Sequence, residues 1–239
     1  MTATTMVAVF AIVALASMFQ ASIGFGANLI AQPIVFQLAP DLVPGSVLMA
    51  TALLSCLVVI RERHAVTLAP IRSATSGAII GIVTGVVVLQ ATPESGVALL
   101  VAVCVLAMVI VAAVGGGPAP SGRNLFLAGS AGGFGSTTAG IGGPPVALLF
   151  AGADGARTRG LLSGYFVAVS ALTFVGLIIA ERFGIAEARS GLLLLPAALL
   201  GFVASRPLLP AVDRRGIRPS ILAVSAAAAV VLLARTVLG

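Results

Sequence analysis

Long apolar runs separated by short polar segments cover almost the whole 239-residue chain. A helix needs about 20 predominantly apolar residues to cross a bilayer. Six continuous runs have that character: Val43–Ile60, Pro70–Gln90, Ser95–Val114, Gly160–Ala180, Ser190–Ser205 and Pro219–Leu238. Two more, Thr5–Leu38 and Asn124–Ala151, are interrupted by glycine turns, and each reads as a longer arm, a turn and a shorter returning arm. The turns are Ser22-Ile-Gly-Phe-Gly-Ala-Asn28 and Thr138-Ala-Gly-Ile-Gly-Gly-Pro-Pro145. Gly24 and Gly26 fall on Gly140 and Gly142 at one offset, since 140 − 24 and 142 − 26 are both 116.

The chain thus divides into two repeats, residues 1–115 and 116–239, each an interrupted segment followed by three spans. At the same offset Gly81 falls on Ala197 and Gly85 on Gly201, small residues that let helix backbones approach closely. Arginine placement discriminates between topologies. If all eight segments cross, Arg61, Arg63, Arg72, Arg123, Arg182, Arg189 and Arg235 share one side and the other six arginines the opposite one, with no positive-inside bias. If the second interrupted segment enters and returns on one side, only Arg182, Arg189 and Arg235 lie outside and the other ten are cytoplasmic. Symmetry then makes the first segment re-entrant from the opposite side. The expected fold is an all-α polytopic membrane protein of two inverted repeats, each a re-entrant hairpin plus three spanning helices. In such folds the substrate site lies near the midplane, between the interrupted helices.

Composition agrees with this reading. Apolar residues make up 59% of the chain and charged residues 8%, against roughly 25% charged in soluble domains. All basic residues are arginine, and the net charge of +6 sits in short loops between apolar runs, a placement that fits membrane anchoring rather than nucleic acid. The first run is read as a mature helix rather than a signal peptide, for want of a basic segment before it. Cys56 and Cys104 lie in separate apolar runs and read as small buried residues, not as a disulfide or metal pair. The one histidine, His64, sits in a basic loop, and no hydrolytic, metal-binding, dinucleotide or phosphate-loop pattern is present. The chain reads as neither an enzyme nor an ATPase, with no cofactor or metal. Asp41, Glu62, Glu94, Asp154, Glu181, Glu187 and Asp213 all fall in loops or at helix ends, so no titratable carboxylate is expected inside a span.

At membrane depth, non-helical backbone is tolerated where it is buried in protein or lines a watery cavity. Gly24, Gly26, Gly140, Gly142 and Gly143 let a ligand approach the backbone, and Pro144 and Pro145 suit the first turn of a returning helix. Two helix N-termini converging on one cavity favour a small oxygen-bearing anion, although the C-termini of the long arms favour cations. Gln20, Asn28 and Gln32 around the first turn and Thr138 at the second are candidate substrate ligands, because amides and hydroxyls orient a polar ligand without a buried charge. Ser22, Ser136 and Thr137 flank the turns and fit interhelical hydrogen bonding at least as well. Tyr165 either lines the cavity or packs between helices, and Gly132, Gly133 and Gly135 fit close helix packing. A passive anion channel and a non-transporting membrane subunit are the alternatives to a carrier.

The stretches Gln20-Ala-Ser-Ile-Gly-Phe-Gly-Ala-Asn-Leu-Ile-Ala-Gln-Pro33 and Gly132-Gly-Phe-Gly-Ser-Thr-Thr-Ala-Gly-Ile-Gly-Gly-Pro-Pro-Val-Ala-Leu148 resemble the TauE/SafE family of sulfite and organosulfonate exporters. The first departs from many members in having Ala27 and Asn28 after Gly26, where a further glycine is common. The resemblance implies a multi-pass carrier of the cell inner membrane that exports sulfite or a small sulfonate such as sulfoacetate. It also implies the proton motive force as the driving gradient, with protons as partners beside the substrate and the lipid bilayer.

Overall fold

The computed structural model describes residues 2–114, 118–150, 153, 155–210 and 230. The expected span Pro219–Leu238 therefore lies outside the described residues. Among the described residues nine α-helices follow one another: α1 (Ala3–Ile23), α2 (Ala27–Leu38), α3 (Gly45–Arg61), α4 (Leu68–Ala91), α5 (Glu94–Val114), α6 (Gly122–Ala139), α7 (Pro144–Leu148), α8 (Gly155–Ile179) and α9 (Ile185–Ser205). Single turns of 3-10 helix connect some of them, and the described residues contain no strand. The protein is an all-α polytopic membrane protein. Five helical stretches are long and apolar enough to cross a bilayer: Ala3–Ile23, Leu68–Ala91, Gly96–Ala113, Gly155–Ile179 and Ile185–Leu208.

The outward faces are as apolar as the interior. Ile79, Ile80, Val83 and Val87 of α4 and Leu192, Leu193, Leu200 and Val203 of α9 are exposed, a distribution that suits lipid rather than water. Cys56 also faces outward on α3, contrary to the expectation of burial, while Cys104 is buried; both are free thiols. On a lipid-facing surface a thiol behaves as a small apolar group, so exposure there carries no penalty.

Both interrupted segments break at their glycine turns. At the end of α1, Gly24 and Gly26 adopt φ of 106° and 111°, the left-handed region that side-chain-bearing residues avoid. At the end of α6, Gly140 has φ 71°; its N–H donates to Ser136 O (3.0 Å) and that of Ile141 to Gly135 O (2.9 Å), which closes a Schellman motif. The returning arms are unequal: α2 has 12 residues and α7 only 5. The long arms also differ. The 21 residues of α1 could cross alone, whereas α6 is diluted by Gly129, Gly132, Gly133 and Gly135 and by Ser130, Ser136, Thr137 and Thr138.

Those small residues have a packing purpose. α4 and α6 meet backbone to backbone: a methyl group built on Gly77 or Gly81 of α4 would fall on the Phe126 or Ser130 carbonyl of α6, and one on Gly129 or Gly133 would fall on Ala74 or Ala78 in return. In lipid, where hydrophobic burial gives no advantage to helix association, such close contact is a main source of attraction. A second pair, α1 and α9, meets the same way at Gly201, which sits on the backbone of Ala14 and Met18. Adding 116 to Ala14 and Met18 gives Ser130 and Phe134, the residues that Gly81 meets. Gly201 thus takes the contact of Gly81, one helical turn from Gly85, its partner at that offset.

Two large hydrophobic clusters result, beside a smaller one around Leu48, Ile82, Val86, Leu89 and Leu177. One joins α1, α2, α3 and α9. The other joins α4 to α8, with Phe25 and Leu29 inserted into it from the first glycine turn. The two turns meet where the clusters adjoin.

Candidate functional site

A cavity of about 410 Å³, counting its open mouth, lies between the two turns. Gln20 of α1, Gly26 of the turn and Asn28 of α2 line one side; Gly140, Gly142 and Gly143 of the second turn line the other. Thr51 and Ser55 of α3, Ser136 of α6 and Ser170 and Phe166 of α8 complete its polar and aromatic walls. Among the described residues, no charged side chain lines it.

The two turns are tied directly. The Asn28 side-chain amide donates to Gly140 O at 2.6 Å, a long-range bond that spans the two interrupted segments. Gln20 shapes the first turn from within: its Oε1 accepts the Ala27 N–H at 3.2 Å, capping the start of α2 where Gly26 has no side chain to do so, and its Nε2 lies 3.5 Å from Ser55 Oγ. Ser55 and Thr51 spend their hydroxyl hydrogens on carbonyls of their own helix. Ser136 pairs with Thr173 at 3.0 Å. Among the described residues, neither the Gly142 nor the Gly143 backbone N–H takes part in a hydrogen bond, although both residues line the cavity. A buried N–H without a partner is costly.

Behind the first turn lies a charged cluster that a reading of loops and spans does not reveal. Arg159 is only 5% exposed near the start of α8; it donates from Nη1 to Ser22 O (3.2 Å) and from Nε to Glu62 Oε1 (3.1 Å). Arg61 donates to the same Glu62 oxygen at 3.0 Å and to Ala21 O, and its guanidinium stacks on Phe202 with 5.1 Å to the ring centre. The last carbonyls of α1, which would otherwise draw cations, are thus occupied by two guanidiniums. Glu62 pairs with both guanidiniums beside the turn. Burying Arg159 is tolerated because it is paired and hydrogen-bonded. The turn presses directly on it: a methyl group built on Gly24 would stand 3.1 Å from Arg159 Cα.

Of the nine expected substrate ligands, Gln20, Gly26, Asn28, Gly140, Gly142 and Gly143 line the cavity; Gly24, Gln32 and Thr138 do not. Gly24 packs on Arg159. Thr138 donates to Phe134 O at 2.8 Å and lies 3.3 Å from Cys104 Sγ. Gln32 is fully buried one helical turn below Asn28, its side chain against Gly140 and its Nε2 toward Pro44 O (3.4 Å). Tyr165 is buried, its hydroxyl 3.4 Å from Gly129 O, in the space that Gly132 leaves open; it packs between helices and does not line the cavity. His64 is exposed in its loop. Thr51, Ser55 and Ser170 went unnoticed in the sequence, although Thr51 and Ser55 are four apart and so share one helical face. No group of three or more metal-binding side chains occurs among the described residues.

The family model described as "Sulfite exporter TauE/SafE" matches residues 9–232, nearly the whole chain. Comparison with curated proteins and with solved structures finds no match.

Proposed function

The chain belongs to the sulfite exporter TauE/SafE family, and from that premise we propose that it is a secondary carrier of the cell inner membrane that exports a small sulfur oxyanion, sulfite or an organosulfonate, through the cavity between its two glycine turns. One observation carries the reading: the unengaged N–H groups of Gly142 and Gly143 face a cavity with no charged lining, while arginines cover the competing carbonyls of α1. Backbone donors suit an ion with several acceptor oxygens, and the cation-attracting end of the long arm is neutralised.

Gly26, Gly142 and Gly143 give the ligand access to backbone, Gln20 and Asn28 fix the two turns around it, and Ser170 adds a hydroxyl. Gly24, Gln32 and Thr138 support this layer from behind. Residues 1–115 and 116–239 act as inverted repeats; the matching contacts of α4 with α6 and of α9 with α1 support that division. Rocking of the repeats about the site exposes it to each side in turn, with the proton motive force as the driving gradient.

A thermal-shift screen of the purified protein against sulfite, sulfate, sulfonates, acetate, chloride and sodium tests the ligand class. A ligand at about 100 times its Kd stabilises the folded state by roughly 2.7 kcal/mol. Selective stabilisation by sulfite or a sulfonate is expected. Stabilisation by a cation, and by none of the anions, rejects the proposal.

A further inference from the structure

Two buried amide oxygens at the junction of the turns have no donor. Asn28 gives its N–H group to Gly140 O, which fixes the orientation of its amide, because a carbonyl accepts only from N–H. That leaves Asn28 Oδ1 buried and without a hydrogen-bond partner. Gln32, one turn along the same helix, directs its Nε2 toward Pro44 O and leaves its own Oε1 buried and unpartnered. Both side chains abut Gly140, which lines the cavity, and Gln32 is wholly buried. A buried acceptor without a donor is disfavoured, and two on one helix face against one lining residue call for hydrogen from outside the protein.

From the Asn28 oxygen, which belongs to a side chain that lines the cavity, we infer that the transported ion carries a hydrogen-bond donor of its own. The inference rests on the proposed anion site and narrows its substrate class. The substrate is a monoanion bearing an O–H or N–H, such as a protonated sulfur oxyanion or an aminosulfonate, rather than a fully deprotonated dianion. The oxyanion oxygens face the N–H groups of Gly142 and Gly143, and the donor faces Asn28 Oδ1. Among the described residues no carboxylate lines the cavity, so a protonated oxyanion takes its proton across as part of the cargo.

Sulfamate and methanesulfonate separate the two requirements, because both are monoanions of nearly equal size and only sulfamate carries N–H donors. Calorimetric titration of the purified full-length protein is expected to give a Kd for sulfamate about tenfold below that for methanesulfonate, the effect of one net hydrogen bond. Asn28→Leu keeps the outline of the side chain and removes the acceptor from the cavity wall, and it is expected to narrow the ratio toward one. Equal constants in the unmodified protein overturn the inference while leaving the anion site standing. If neither ion binds, the anion site and this inference fall together.

Discussion

Replacing Asn28 by aspartate asks the cavity which sign of charge it accepts. Asn28 is the one side chain that bonds across the two turns, at 2.6 Å to Gly140 O, and it lines the cavity. Asn28→Ala removes that bond and leaves a buried carbonyl unsatisfied, a cost of about 1–3 kcal/mol. At roughly 2–4 °C per kcal/mol for a chain of this size, Tm is expected to fall by about 2–12 °C. Asn28→Asp has the same structural defect and adds a negative charge to the wall. Two unit charges about 5 Å apart at an effective dielectric of about 20 interact with roughly 3 kcal/mol, so an anion is expected to bind Asn28→Asp on the order of 100-fold more weakly than Asn28→Ala. A cation would bind more tightly by a similar factor. The assay is calorimetric titration with sulfite at about pH 6, where most of it carries one proton and an ordinary aspartate is ionised, on the unmodified protein and both variants. Equal sulfite affinity in the alanine and aspartate variants would refute the reasoning.

Neighbouring glycines of the second turn are expected to behave differently. A methyl group on Gly142 stands 2.8 Å from Gly132 O and 3.1 Å from Ser136 Cβ, so Gly142→Ala lowers Tm. On Gly143 it meets only the tip of the Phe166 ring at 2.8 Å, and the backbone there is ordinary helix, so Gly143→Ala weakens sulfite binding with a smaller loss of Tm. Glu62→Gln removes the carboxylate that pairs with both Arg61 and Arg159 and is expected to cost about 3 kcal/mol in thermal unfolding, with part of the loss recovered when Arg159 is also changed to glutamine. Gly81→Ala drives a methyl onto the Ser130 carbonyl and separates α4 from α6, so it lowers Tm without a specific effect on ligand affinity in the fraction that remains folded.

Much of this was legible because lipid imposes simple rules. Apolar length marks spans, and glycine most readily takes the left-handed backbone that Gly24, Gly26 and Gly140 adopt, so the breaks announced themselves. The residues between the turns followed from proximity in sequence. Thr51, Ser55 and Ser170 did not, because a single hydroxyl in an apolar run bonds its own helix as readily as it faces a cavity. The charged cluster was missed for a related reason. Arg61, Glu62 and Arg159 looked like loop charges; Arg159 instead lies inside α8, where its burial depends on Glu62 and on the Ser22 carbonyl, contacts that join distant parts of the chain. The five residues of α7 were hidden as well, since Val146-Ala-Leu-Leu-Phe150 is apolar enough to extend a helix that in fact ends at Leu148.

Counterflow in reconstituted vesicles tests the central claim most directly. Vesicles loaded with unlabelled sulfite are diluted into medium containing a trace of radiolabelled sulfite, and label inside is followed over time. A carrier working through this cavity accumulates label transiently above its external concentration, saturates with sulfite, and loses both properties in Asn28→Asp. Flux that only dissipates the gradient, without saturation or counterflow, would contradict a carrier, and normal counterflow by Asn28→Asp would place the site elsewhere.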